Sequence, residues 1–111
     1  MYKGVVIKQS LENPEILSEF KTFKTEDSQS MGWNIFWINV DVDELNLVAN
    51  NIKDEWYAHF AGNNIGIVIF KNKIFEMDVN DRQTWQAAID YGKSVGIPNE
   101  QLDFEFSELI C

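Results

Sequence analysis

Apolar and polar positions change period several times along the chain, and each change marks an element. Tyr2 to Gln9 is rich in β-branched residues and reads as a strand, with Val5 and Ile7 on one face and Gly4 and Val6 on the other. Asn13-Pro14-Glu15 is a helix-start signal, with Pro at the first helical position and an acid in the first turn, and predicts a short helix over Pro14 to Glu19. From Phe20 to Thr25 a doubled Phe-Lys-Thr suits an exposed strand but fits no single period. The polar stretch Glu26 to Gly32 reads as a loop. Trp33 to Val40 then sets Trp33, Ile35 and Trp37 against Phe36, Ile38 and Val40, apolar on both sides. Such a strand belongs inside a sheet covered on each face, or at an interface.

Asp41 or Asp43 can cap a helix over Glu44 to Lys53, whose Leu45, Val48, Ala49 and Ile52 recur at the spacing of one helical face. A meander follows: Trp56 to Ala61, a Gly62-Asn63-Asn64 turn, Ile65 to Phe70, a Lys71-Asn72-Lys73 turn, and Ile74 to Val79. Asn80 or Asp81 caps a second helix running to about Val95, with Trp85, Ala88, Ile89 and Gly92 on its buried stripe. Gly96 stands where a helix ends in the left-handed conformation, and Pro98 prevents continuation. Asp103 to Phe106 alternates again and predicts a short final strand. There are no repeats, low-complexity tracts or linkers, so residues 1–111 read as one domain. The mixture predicts an α+β fold: a mainly antiparallel sheet of four to six strands with two principal helices, both on one face of the sheet. A sheet bare on one side often closes that side by dimerising, which leaves a homodimer open.

Composition adds constraints on partners. Aromatics are 14% of the 111 residues, with four Trp and eight Phe, so the chain can build a real core without disulfides or a structural metal. Acids outnumber bases 18 to 9 for a net charge of −9, which disfavours direct binding to nucleic acid or to an anionic membrane surface. The imbalance is uneven. Residues 1–25 hold four lysines against three glutamates, and residues 26–111 hold five bases against fifteen acids. Arg82 is the only arginine, which argues against bidentate phosphate clamps. One cysteine, Cys111, permits no internal disulfide, and no signal-peptide pattern or spanning apolar run is present. A reducing, cytoplasmic setting is expected.

Several segments carry a resemblance. Lys3-Gly4-Val5-Val6-Ile7, Glu55-Trp56-Tyr57-Ala58-His59-Phe60, Ile69-Phe70-Lys71-Asn72-Lys73-Ile74-Phe75, and the run from Tyr91 through Pro98 to Phe104 are similar to a group of small bacterial proteins of unknown function. The resemblance implies a free-standing bacterial or phage-borne protein and implies no activity, cofactor or catalytic residue.

Candidate chemistry is sparse. His59 is the only histidine and the only side chain whose ordinary pKa lies near neutrality. As a general base it would need an orienting carboxylate, for which Asp54, Glu76 and Asp78 are nearest along the meander. Cys111 follows Glu105 and Glu108, acids that disfavour a thiolate. Asp41-x-Asp43 and Asp78-x-Asn80-Asp81 bring oxygens together but fail the calcium-loop spacing, and both stand where helix caps are expected. The glycines form neither a phosphate loop nor a dinucleotide fingerprint. No catalytic residue, metal or cofactor is therefore assigned, and an enzyme is not favoured. What stands out is aromatic surface. Trp33, Trp37, Trp56, Tyr57 and His59 form the candidate contact set of a small acidic, non-enzymatic protein-binding module. Two alternatives are an acidic mimic of nucleic acid that inhibits a DNA- or RNA-handling protein, and a small-molecule site around His59.

Overall fold

A computed structural model describes residues 2–98 together with Leu102 and Phe104. Its strands are β1 (Tyr2–Ile7), β2 (Lys21–Ser28), β3 (Trp33–Val40), β4 (Ala58–Gly62), β5 (Ile65–Phe70) and β6 (Lys73–Asp78); its α-helices are α1 (Val42–Asn51) and α2 (Gln86–Ser94). The strands make one sheet in the order β2-β3-β1-β4-β5-β6, and each neighbouring pair runs antiparallel. The fold is α+β, as the mixed periodicity predicts.

Local chemistry accounts for the element ends. Asp41 caps α1 with a reciprocal box: its carboxylate accepts the Glu44 N–H at 2.9 Å, and the Glu44 carboxylate accepts the Asp41 N–H at 3.0 Å. The β4–β5 hairpin turns on Asn63 and Asn64, both left-handed at φ 51° and 66°, the geometry that matches strand twist in a two-residue loop. The helix expected over Pro14–Glu19 is realised as 3-10 geometry capped by the Asn13 side chain. A 3-10 turn over Arg82–Trp85, capped by Asp81, leads into α2. Gly96 ends that region at φ 94°.

Strand alternation divides the interior in two. On β5, Ile67 and Ile69 join a core with Leu45, Val48 and Ala49 of α1, together with Leu11, Ile16 and Leu17 from the 3-10 region. Val68 and Phe70 face the other way, into a core with Met77, Trp85, Ala88 and the buried Leu102 and Phe104. The helices therefore lie on opposite faces, which corrects the one-sided arrangement expected from the sequence. The physical reason is β5 itself. Gly66 to Phe70 are all buried, and a strand apolar on both sides requires cover on both sides.

Several boundaries also differ: β1 ends at Ile7 and not Gln9, α1 runs over Val42–Asn51 and not Glu44 to Lys53, and β6 over Lys73–Asp78 and not Ile74 to Val79. β2 continues through Ser28 into the stretch expected to be a loop, and its register with β3 slips between Thr22 and Lys24. The extra residue at this bulge, Phe23, is why the Phe-Lys-Thr repeat shows no clean period. β4 begins at Ala58, leaving Trp56 and Tyr57 in the approach to it. The strand expected over Asp103 to Phe106 falls outside the described residues except for Phe104.

Candidate protein-interaction face

The α2-side core takes buried residues from β4, β5 and β6 (Ala61, Val68, Phe70 and Met77), and from β1 and β3, among the described residues, the partly buried Val5 and Trp37. Register places the residues of this side of the sheet in cross-strand rows, because directly paired residues in an antiparallel sheet share a face. One row reads Lys24, Trp37, Val5, His59 and Val68; a second reads Glu26, Ile35 and Ile7; Ser28 and Trp33 close the strand end. Toward the other end lie Lys21, Asn39, Lys3 and Ala61.

Cover fades gradually across these rows. Val68 is buried, while Val5, Trp37 and Tyr57 pack at the margin of the α2-side core and stay partly exposed. Ile7, Trp33 and Ile35 are also partly exposed and, among the described residues, pack into neither core. The bulge adds Phe23, 50% exposed, with the Lys3 ammonium 5.9 Å from its ring centre. Lys24 lies over the Trp37 ring at 4.4 Å, a cation on the face of an indole.

The five sequence-predicted residues divide between this face and its lower rim. Trp37 and His59 share a row through Val5, and the Tyr57 ring is 6.3 Å from the His59 ring. Tyr57 also meets Phe104 at 5.3 Å and Phe70 at 6.0 Å, which ties the face to the α2-side core. Trp33 stands edge-on to Trp56 at 5.5 Å, and Trp56 packs against the α1-side core. None of the five is fully buried and none is fully exposed. Trp85 is different: it is 4% exposed and donates its indole N–H to the Asp78 carbonyl at 2.8 Å, so it belongs to the core.

Sequence reasoning did not place Val5, Ile7 and Ile35, or the lysines beside them, on one face with Trp37 and His59. The usable signals were the two-sided apolarity of Trp33 to Val40 and the slight excess of lysine in residues 1–25.

Two of the carboxylates weighed as orienters of His59 stand on the opposite face of the sheet from it. Glu76 pairs with Ile67 and Asp78 with Ile65, which sets both carboxylates on the α1 face, while His59 pairs with Val68 on the other. Neither the depression of about 210 Å³ beside Trp56 and Tyr91 nor the shallow one of about 490 Å³ beside Met77 and Thr84 is lined by His59. Of the acids weighed as calcium ligands, Asp41 caps α1, Asp81 caps the 3-10 turn through the Gln83 N–H at 3.1 Å, and Asp78 accepts the Asn80 N–H at 2.8 Å in a tight turn. No helix among the described residues is long and apolar enough to cross a membrane. The chain matches no protein-family model, no curated protein and no solved structure.

Proposed function

We propose that the protein is a non-enzymatic protein-binding module whose contact surface is the β2–β3–β1 half of the α2-side sheet face, acting in a reducing, cytoplasmic compartment. One observation carries the reading: Ile7, Trp33 and Ile35 form a continuous, partly exposed apolar strip that joins neither core among the described residues. A contiguous apolar patch bordered by polar groups is the usual signature of a protein contact, with tryptophan and tyrosine supplying rigid anchors. The solitary Cys111 accords with the reducing setting.

The test places a photo-crosslinking amino acid at Ile35 and, as a control, at the exposed Asn46 of α1, in the organism that makes the protein. One recurrent protein adduct from position 35, absent from position 46, is the expected result. Equal labelling from both positions, or none from 35, would refute the reading.

A further inference from the structure

Three lysines converge on the proposed contact face in a chain where acids outnumber bases two to one. Lys21 and Lys3 flank Asn39 in one cross-strand row, and Lys24 follows beside Trp37 in the next. All three are exposed. Among the described residues none of them forms an ion pair, whereas Lys71 is held by Glu12 at 2.7 Å. Lys3 and Lys24 instead rest over the rings of Phe23 and Trp37. A cation over an aromatic face retains open directions for hydrogen bonding, so its charge remains available to an incoming carboxylate.

Charge and apolarity are segregated along the strands. The lysines occupy one end of the face, and Ile35, Ile7 and Trp33 occupy the other, with Glu26 at the β2 edge as the acid on these rows. Successive same-face rows are about 7 Å apart, so the whole strip spans roughly 20 Å, the reach of about six extended residues.

Resting on the interaction-module reading, we propose that this face binds an acidic amphipathic segment of a partner protein, its carboxylates meeting Lys3, Lys21 and Lys24 and its apolar side chains covering Trp37, Ile35 and Ile7. Charge complementarity selects this occupant over the others. A second copy brings to this face the same three lysines, with Glu26 as the acid on its rows to meet them. A polynucleotide would meet three lysines on an otherwise acidic chain, and the one arginine, Arg82, stands in the 3-10 turn that packs on β6, at the opposite edge of the sheet.

The experiment measures binding of fluorescein-labelled hexapeptides to the full chain by anisotropy, in low and in physiological salt. The peptides alternate leucine and phenylalanine with glutamate, glutamine or lysine. The glutamate peptide is expected to bind at least tenfold more tightly than the glutamine peptide in low salt, with the advantage shrinking as salt rises. The double variant Lys3→Glu, Lys24→Glu should reverse the preference toward the lysine peptide. The same charge change at Lys73 on β6, the sheet edge opposite β2, and at Lys93 on α2 should leave binding unchanged. Equal binding of the glutamate and glutamine peptides would overturn the acidic-partner inference while leaving the module reading to the crosslinking test. No binding of the glutamate peptide, preferential binding of a single-stranded oligonucleotide, or self-association through this face seen by sedimentation would each overturn it as well.

Discussion

The Phe60 ring lies flat against the backbone of Gly4, its directly paired neighbour across β1 and β4. A methyl group at Gly4 would sit 2.0 Å from a Phe60 ring carbon, and Phe60 itself is 0% exposed, so the ring has nowhere to retreat. The central strand of the sheet is thus kept narrow to admit a large ring from the next one. Gly4→Ala should destabilise the protein by about 3 kcal/mol, the upper range of overpacking costs. Denaturant unfolding would show it, and Phe60→Leu in the same chain should recover part of the loss. A neutral Gly4→Ala would mean that the ring packs elsewhere.

The capping box at α1 yields a second expectation. Removing the Asp41 carboxylate leaves the Glu44 N–H without its acceptor at the start of a helix whose Leu45, Val48 and Ala49 build the α1-side core. Asp41→Ala should cost about 1 kcal/mol, while Asp41→Ser should retain most of the stability, since serine also caps well. Thermal melts of the two variants side by side separate the cap from a general effect of lost charge.

Trp85 is the core tryptophan and the donor to the Asp78 carbonyl, and the Arg82 guanidinium lies 4.7 Å from its ring centre. Trp85→Phe retains an aromatic ring but removes the N–H, so the variant should lose about 2 kcal/mol through the missing bond and the vacated volume. Unfolding followed by circular dichroism is the appropriate readout, because the substitution also removes a fluorophore.

Much of the fold follows from patterns that need no distant partner. The stripe Leu45, Val48, Ala49 and Ile52 is buried as its spacing predicts, Trp33–Val40 and Ile65–Phe70 keep their predicted bounds, and Gly96 adopts the left-handed conformation. Each depends on residues within a few positions. The sidedness of the helices does not. It follows from β1 taking the middle of the sheet and from which side of β5 each helix meets, relationships fixed only by long-range pairing. The lysine cluster was hidden for the same reason: Lys3 and Lys21 become neighbours only because both pair with Asn39. Phe23 was hidden by a one-residue bulge, which shifts every position before it relative to those after it. The aromatic candidates were legible by type, but their half-buried placement depends on where cover by α2 stops.

Ile35 and Ile38 offer the sharpest test of that placement, since they occupy one strand and opposite faces. Ile38 is 0% exposed within the α1-side core, and Ile35 is partly exposed on the proposed contact face. Ile38→Ser removes a fully enclosed side chain and strands a hydroxyl, and should cost about 3–4 kcal/mol. Ile35→Ser gives up only part of its burial and leaves the hydroxyl within reach of water, so it should cost under about 1 kcal/mol. Equilibrium unfolding of the pair distinguishes an open face from a closed one. If the two substitutions prove equally costly, Ile35 is enclosed in the folded protein, and the strip it forms with Ile7 and Trp33 is interior packing, not a contact surface.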